Sequence, residues 1–317
     1  MARLDLAWIR GVTCTLSAVL LLVCAAPVDG SPDRPRFTRL EDPQPSHRSV
    51  YAIVEDRHGF LWLGTHDGLC RYDGYEMTVY RHDPRDPSSL SNSSVHVVLE
   101  DGRGTLWVGT ENGLDILDRG RGVFRHVDVP GHGPGDRGWF NCAFEDRHGT
   151  VWFGTEDGLI RFDPSSEQFA LFRHDSDDPR SLAHAGVVGV QEDRSGTVWV
   201  LTSETSESTL HRFDANGSSL RRFPLPSRYG RLLTLLIDSS DRFWVHPRGP
   251  LVFDGSRGTF RTPEKRGPSE GSWAVVEADD GTVWLGGGDG LYAWAPSASA
   301  PTPHRIVAAD GTWLENY

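Results

Sequence analysis

Aromatic, amide and imidazole side chains stand just before several apolar runs of this chain, and together they could bind a small polar ligand. Rings stack on the apolar faces of a sugar, while amides, imidazoles and guanidinium groups fix its hydroxyls. For each residue, the alternative is a side chain that merely faces solvent. The candidate ligand-binding residues are His47, Asn92, Trp139, Asn141, His184, Tyr229, Arg231 and Trp273.

These candidates favour binding over catalysis. The chain has no Cys-x-x-Cys pair and no His/Cys spacing suited to zinc, so we predict neither a metal site nor a cofactor. No catalytic residues are predicted, and only His184 or His246 could serve as a general base if the protein were a lyase. The net charge of 32 − 44 = −12 argues against binding to nucleic-acid phosphates.

An internal repeat indicates which elements position these residues. Residues 145–159, EDRHGTVWFGTEDGL, nearly repeat residues 55–69, EDRHGFLWLGTHDGL. The shared motif Asp-x-x-Gly-x-x-Trp occurs four times, and two looser copies begin at Asp238 and Asp279. A period of about 45 residues is typical of four-stranded propeller blades. The six repeated tryptophans are Trp62, Trp107, Trp152, Trp199, Trp244 and Trp284.

Each copy of the repeat predicts four short strands. An apolar run such as VHVVL, residues 95–99, precedes the motif and is typical of a strand buried on both faces. In the turn that follows, the motif Asp accepts backbone amides and the Gly supplies a positive φ. We therefore predict an all-β fold, a β-propeller of four-stranded antiparallel blades with six blades evident, whose tryptophans pack between neighbouring blades. On this interpretation the Asp, Gly, Thr and Trp of the motif are structural.

The loops that join each fourth strand to the next first strand share one face of a propeller with the turns between strands two and three. We predict that ligand binding occurs on this face, because loops on a rigid scaffold usually carry function. Two units depart from the repeat, with SETSEST at residues 203–209 and WVHPRGPL at residues 244–251. Such departures often mark function, although drift in a decaying repeat explains them equally well. The predicted loops are 82–94, 127–139, 174–186, 223–231 and 262–272.

The string Asp-x-x-Gly-x-x-Trp-x-Gly-Thr-x-x-Gly-Leu, at residues 56–69, 101–114 and 146–159, resembles the two-component regulator propeller repeat. The resemblance extends over residues 36–308. In that family the propeller is the extracytoplasmic, membrane-anchored sensor region of hybrid histidine kinases or diguanylate cyclases. The resemblance implies a ligand-binding sensor for a small polar ligand or an oligosaccharide. It also implies a histidine kinase or cyclase output module as partner, and a homodimer as one arrangement.

The family usually closes seven blades, whereas six motifs stand here, so we predict a partial seven-bladed ring. Residues 36–40, RFTRL, read as the outer strand that would complete the last blade, and residues 303–307, PHRIV, as the fourth strand of unit 6. No segment resembles a kinase, a receiver domain or a second membrane span. The expectation is a sensor without its own output domain, from a truncated reading frame. A six-blade ring or an open arc is the alternative.

The first 30 residues predict export. Residues 1–30 are interpreted as a signal peptide whose apolar run spans residues 12–26, with an uncleaved membrane anchor as the alternative. Residues 31–317 would then be the propeller sensor domain, periplasmic or secreted. Cys70 and Cys142 would remain, and we predict two small buried side chains instead of a disulfide.

A sensor is favoured over two other classes of propeller protein, a lyase-type enzyme and a protein-interaction scaffold. The sialidase class is disfavoured because its related motif has a shorter Asp-to-Gly spacing and needs an arginine triad. The quinoprotein dehydrogenases are disfavoured because their Trp motif is longer and is often accompanied by an adjacent cysteine pair.

Overall fold

A computed structural model describes residues 12–18, 22–23, 37–38, 44–47, 49–131, 139–205, 207–213, 220–226, 232, 234–245, 252–254, 259–261, 272–287, 290–295, 298 and 302–304. Every helix or strand assigned within these residues is a β-strand. Three strands precede the repeats: β1 (Val12–Ala18), β2 (Leu22–Val23) and β3 (Phe37–Thr38).

The first four repeat units each contribute four antiparallel strands that follow chain order, and β1 adds a fifth strand to the sheet of unit 1. Unit 1 contains β4 (Val50–Glu55), β5 (Leu61–Thr65), β6 (Gly68–Tyr72) and β7 (Met77–Tyr80). Unit 2 contains β8 (Val95–Glu100), β9 (Leu106–Thr110), β10 (Gly113–Asp118) and β11 (Val123–Val127). Unit 3 contains β12 (Phe140–Glu145), β13 (Val151–Thr155), β14 (Gly158–Asp163) and β15 (Gln168–Phe172). Unit 4 contains β16 (Val187–Glu192), β17 (Val198–Glu204), β18 (Glu207–Phe213) and β19 (Leu220–Pro224).

The fifth repeat unit differs from the others. Its strands form two separate pairs, β20 (Leu236–Ile237) with β21 (Phe243–Trp244) and β22 (Val252–Asp254) with β23 (Thr259–Arg261). Unit 6 is again a four-stranded sheet, and its outer strand overlaps residues 303–304 of the fourth strand predicted at residues 303–307, whose last three residues lie outside the described residues. It contains β24 (Ser272–Glu277), β25 (Val283–Gly287), β26 (Gly290–Trp294) and β27 (Thr302–His304).

The fold is therefore a β-propeller of four-stranded antiparallel blades, as predicted, but the blade count is corrected. The described residues form five such blades, not six, and they contain no seventh blade. The sequence of unit 5 explains its broken sheet. Pro247 and Pro250 stand where the second and third strands would pair, and proline cannot donate to a ladder. Residues 246–251 themselves lie outside the described residues.

The N-terminal strands also depart from the prediction. β3, which lies within the RFTRL segment, pairs with β2 and not with the last blade, so the predicted closing strand is wrong. β1 pairs antiparallel with β4, the innermost strand of unit 1. Val and Thr favour strands, which explains why this apolar run pairs as one. Its role as an export signal stays a prediction. No helix in the described part of the chain is long and apolar enough to cross a membrane.

The repeated motif is a turn closed by one carboxylate. In unit 2, Asp101 Oδ1 accepts the backbone amides of Arg103 and Thr105 at 3.0 and 2.8 Å. The other oxygen accepts the indole N–H of Trp107 at 2.9 Å, and Gly104 has φ +90°. One side chain thus joins the turn to the buried tryptophan. The same Trp-to-Asp bond occurs at Trp62–Asp56 (2.7 Å), Trp152–Asp146 (2.9 Å), Trp199–Asp193 (2.8 Å) and Trp244–Asp238 (2.8 Å).

These tryptophans pack between neighbouring units, as predicted. Trp107 lies edge-on to Phe153 of unit 3 at a centroid distance of 5.4 Å, and Trp199 lies edge-on to Phe243 of unit 5 at 4.9 Å. All five carboxylate-bonded indoles are at most 4% exposed. Burying an indole removes on the order of 200 Å² from water, so these contacts are a main source of cohesion between units.

Unit 6 lacks the carboxylate at this position. Ala278 donates its amide to Thr282 O at 2.8 Å, as Asp101 donates to Thr105 O at 3.0 Å in unit 2, so Ala278 is the equivalent residue. The alignment that places Asp279 there is therefore wrong by one residue. Trp284 is half-buried, whereas the other five repeat tryptophans are buried.

A glutamate at the end of the first strand links successive units. Glu100 Oε2 accepts the amide of Arg57 at 2.7 Å, and Glu100 Oε1 accepts the Arg57 Nε–H at 3.1 Å. In unit 5 this position is Ile237, and the amide of Arg194 turns instead to Asp241 at 3.1 Å. The equivalent amide-to-glutamate bonds are Gly102–Glu145 (2.7 Å), Arg147–Glu192 (2.9 Å) and Ser239–Glu277 (2.7 Å).

Close approach between units depends on a small residue, and unit 4 places it differently. A Cβ on Gly109 would lie 2.7 Å from Phe140 Cβ, so strand β9 needs glycine for the next unit to pack. In unit 4 the equivalent residue is Leu201. Its cross-strand partner Gly189 is the small residue, and a Cβ there would lie 2.6 Å from Leu235 Cβ. In unit 4 the small residue therefore lies on the first strand and the large one on the second strand, the reverse of unit 2. This reversal keeps the units closely packed and explains why unit 4 departs from the repeat.

Candidate functional site

Each four-stranded blade carries a β-bulge near the start of its innermost strand. In unit 1 the ladder pairs Val50 and Ala52 with consecutive partners, which leaves Tyr51 as the extra residue. Bulges re-aim side chains and are frequent next to binding sites. The bulge residues lie at the end of the blades where loops join each fourth strand to the first strand of the next unit. We call this end the mouth. They are Tyr51, His96, Asn141, Val188 and Trp273.

Three rings from three units form a continuous stack at the mouth. Tyr51 lies parallel to His96 with a centroid distance of 4.4 Å and an interplanar angle of 9°. Trp139, at the start of unit 3, lies over His96 at 5.8 Å and 26°. His96 is only 8% exposed, whereas Trp139 is 43% exposed. The buried His96 and the half-buried Tyr51 support an exposed indole that can stack against a ligand. We call Tyr51, His96 and Trp139 the ring stack.

The polar groups beside the ring stack are acidic or neutral. His96 Nε2 lies 3.0 Å from Ser94 Oγ and 3.3 Å from Glu111 Oε1. Burial lowers the pKa of His96, and the carboxylate of Glu111 opposes that shift without cancelling it. Burial raises the pKa of Tyr51, and the charge of Glu111 raises it further. At pH 7 the imidazole is therefore neutral, and Glu111 brings a negative charge to the stack.

Two arginines near the mouth are already paired. Arg81 binds Asp67 at 3.0 Å, and Arg173 binds Asp157 at 2.9 Å. The aspartates lie on the turns between the second and third strands of units 1 and 3, and each arginine directly follows the fourth strand of the same unit. Because each arginine is held by its own aspartate, neither one neutralises the negative charge of Glu111 beside the ring stack.

Five of the eight predicted residues can be placed with their side chains. Trp139 belongs to the ring stack. His47 is linked to it through His66, whose ring centroid lies 5.4 Å from that of His47 and 6.4 Å from that of Tyr51. Asn92 Oδ1 caps the amide of Ser94 at 2.8 Å. Asn141 is buried, and its Nδ2 donates to Val187 O at 3.1 Å, so its amide links units 3 and 4.

His184 lies apart from these residues, in unit 4. Its Nδ1 is 3.4 Å from Glu204 Oε2, and its Nε2 is 3.4 Å from Thr209 Oγ1. Trp273 is a bulge residue of β24 whose side chain is not described. Tyr229 and Arg231 lie outside the described residues, as does His246.

Sequence reasoning missed Tyr51 and His96. Both were read as part of apolar runs that form buried strands, and the ladder shows that each is the extra residue of a bulge. The available signal was the second position of each run, which holds Tyr51, His96, Asn141 and Trp273 among otherwise apolar residues. Only the last two of these were predicted.

Unit 4 buries a second histidine below the mouth. His211 is fully buried, and its Nε2 lies 2.9 Å from Thr202 Oγ1. Its Nδ1 has no hydrogen-bond partner among the described residues. Burial lowers the pKa of His211 to about 3, with smaller contributions from the charges of Arg222 and His184. His211 occupies the ladder position that Asp115 holds in unit 2, where Asp115 pairs with His126 at 2.7 Å.

The loops before units 2 and 4 are fixed by the same set of hydrogen bonds. His82 Nδ1 lies 2.6 Å from Leu90 O, and His174 Nδ1 lies 2.7 Å from Leu182 O. Both leucines are fully buried. Two of the loops at the mouth therefore share one hydrogen-bonded conformation. Cys70 and Cys142 are separate buried thiols, as predicted.

Comparison with known proteins supports a family assignment for the repeats. Residues 44–67 and 89–112 match the family model described as two component regulator propeller. A 46-residue stretch is 46% identical to a histidine kinase of Formosa agariphila. That stretch is 14% of this chain and 3% of the kinase, so the chain spans a small part of that curated relative.

Solved structures with the same fold come from more than one functional class. One is the extracellular domain of a hybrid two-component system of B. thetaiotaomicron, with 16% identity and a TM-score of 0.54. The match covers 87% of this chain and 43% of that one. Another is the virginiamycin B lyase of Staphylococcus aureus, with 14% identity and a TM-score of 0.60, covering 87% and 91% of the two chains. At these identities the likeness shows the propeller fold alone.

Proposed function

Because this chain carries repeats of the two-component regulator propeller family, we propose that it is the exported sensor propeller of a two-component-type signalling system. It binds a small polar ligand at the mouth, and the bound state is passed to a histidine kinase or cyclase module. The observation that carries the proposal is the ring stack. Its exposed indole stands on a rigid scaffold, beside polar groups that can fix a ligand's orientation.

Ligand binding is tested by thermal shift of the purified full chain against a panel of neutral, cationic and anionic sugars, amino acids and amines. We expect at least one compound to raise the melting temperature, since a ligand that binds only the native state stabilises it. Trp139→Ala should abolish that shift. Tyr75→Ala is the matched control, because Tyr75 is an exposed aromatic residue on the β6–β7 turn, away from the mouth. An equal loss of the shift in both variants would contradict binding at the ring stack.

The two other classes predict different results with the same preparation. A lyase-type enzyme would show chelator-sensitive turnover, for which His184 beside Glu204 is the nominated base. A scaffold would retain a protein partner on purification and respond to no small compound. A homodimer, periplasmic or secreted location and removal of residues 1–30 accompany the proposed function. Light scattering and N-terminal sequencing of the exported protein test the oligomeric state and the cleavage.

A further inference from the structure

The charge around the ring stack narrows the chemistry of its ligand. Glu111 Oε1 lies 3.3 Å from Nε2 of His96, the central ring of the stack. The Glu111 side chain keeps 30% of its surface exposed, so it can face a bound molecule as well as the imidazole. Arg81 and Arg173, which directly follow the fourth strands of units 1 and 3, are each held by an aspartate. An anionic ligand would meet repulsion here, whereas a cation would meet a favourable field.

The exposed ring is of the type that binds cations best. A cation within about 6 Å of an indole face is attracted by the ring quadrupole, and the attraction strengthens when the site excludes water. Trp139 presents such a face. The ring next to it in the stack is the imidazole of His96. The backbone carbonyl of Trp139 accepts the amide of Glu156 at 3.1 Å, which ties the Trp139 backbone to the turn between β13 and β14.

We infer that the mouth recognises a small organic cation, a quaternary or protonated amine, stacked on Trp139 with Glu111 as its counter-charge. This inference rests on the proposed function and adds the ligand's charge to it. The combination of an aromatic face and a carboxylate distinguishes such a ligand from a neutral sugar, which needs the ring but gains little from the charge.

Choline and 3,3-dimethylbutan-1-ol provide the test, because they have nearly the same shape and differ in the positive charge. Titration calorimetry of the full chain at low ionic strength should show choline binding on the order of tenfold more tightly than the alcohol. Glu111→Gln should weaken choline binding several-fold and leave the alcohol unchanged. Trp139→Ala should weaken the binding of both compounds.

Glu76→Gln is the control for general attraction to an acidic protein, since Glu76 is an exposed carboxylate on the β6–β7 turn, away from the mouth. It should leave choline binding unchanged, and a loss equal to that of Glu111→Gln would overturn the inference. Equal binding of choline and the alcohol would overturn it too, while binding at the mouth would stand. If only neutral sugars bind and Trp139→Ala abolishes that binding, the ligand charge is wrong and the proposed function survives. If no compound of any class binds, both fail.

Discussion

The two ends of each blade obey different rules. At the end with the Asp-x-x-Gly-x-x-Trp turn, five units repeat one contact, with indole-to-carboxylate distances between 2.7 and 2.9 Å. At the mouth, the equivalent bulge position holds a tyrosine, a histidine, an amide, a valine or a tryptophan. The turn end must present the same surface to every neighbour, whereas the bulge position at the mouth holds different side chains, three of them buried. Repetition in this chain therefore marks scaffold, and variation at a fixed position marks the candidate site.

The largest expected effect compares two tryptophans of unit 3 at opposite ends. Trp152 is 4% exposed and bonded to Asp146, whereas Trp139 is 43% exposed. Trp152→Ala should lower the free energy of unfolding by about 3–5 kcal/mol, because it empties a large buried volume and leaves a carboxylate without its donor. Trp139→Ala should cost less than about 1 kcal/mol and act on ligand binding. Urea unfolding of both variants measures this, and similar losses would break the distinction between the ends.

Lowering the pH should destabilise the two ends of the blades over different pH ranges. The imidazole of unfolded His211 binds a proton near pH 6.5, whereas the pKa of His211 in the fold is about 3, so the unfolded state binds more protons between those values. Stability should fall as the pH drops from 6.5, by up to about 1.4 kcal/mol per pH unit. His96, whose pKa burial also lowers, acts in the same direction.

Urea unfolding of the wild type and His211→Gln between pH 7 and pH 4 measures this slope. The variant should lose stability less steeply, whatever its stability at pH 7. Parallel curves would show that His211 does not set the slope.

The turn end responds at lower pH. Burial raises the pKa of Asp56, but hydrogen bonds from Trp62 and two backbone amides hold that pKa below its ordinary value of 3.8. Its contribution is present above pH 3.8 and is lost only as the pH falls through the lower value.

A pair of carboxylate variants in unit 2 should show a smaller difference. Asp101 accepts two backbone amides and the Trp107 indole N–H, so Asp101→Asn places an amide where three donors converge. We expect a loss of about 1–3 kcal/mol in the free energy of unfolding. Glu111→Gln, at the mouth of the same unit, should change that energy by less than about 0.5 kcal/mol. A larger loss in the Glu111 variant would assign the mouth carboxylate to the scaffold.

The smallest expected effect concerns the link between units. Glu100→Gln keeps an acceptor for the amide of Arg57 but removes the charge that also binds the Arg57 and Arg119 guanidinium groups. The predicted cost is about 1 kcal/mol, because Arg57 is partly exposed and water screens the pair. The cost should decrease in high salt. A loss that is independent of salt would indicate packing and not charge.

The sequence was sufficient to predict the turn end of the blades. Period, motif spacing and turn chemistry predicted the strands, the turn glycines and the buried tryptophans, since each depends on contacts within or between near-identical units. Asp241, which stands where the repeat predicts a turn glycine, has a positive φ of 57°. Unit 5 was overpredicted because its apolar runs were given more weight than its prolines.

The mouth was predicted only in part. A bulge depends on how two strands pair, and a single run such as VYAIV gives no sign that its tyrosine leaves the ladder. The position of His211 is likewise set by pairing across β18 and β19, so a fully buried imidazole could not be inferred from its polar neighbours in the sequence. These features arise from register, which the period of the repeat does not specify.

The exchange of Gly189 and Leu201 limits how this array can be lengthened. Units 1 to 3 each offer a glycine to the first residue of the next innermost strand, so an extra copy of unit 2 inserted beside itself would find a matching surface on both sides. Unit 4 has Leu201 at this position. A copy of unit 2 placed after unit 4 would therefore meet the leucine side chain, whereas unit 2 in its present place meets a glycine. Tandem duplication is thus sterically open in the first three units and closed after the fourth.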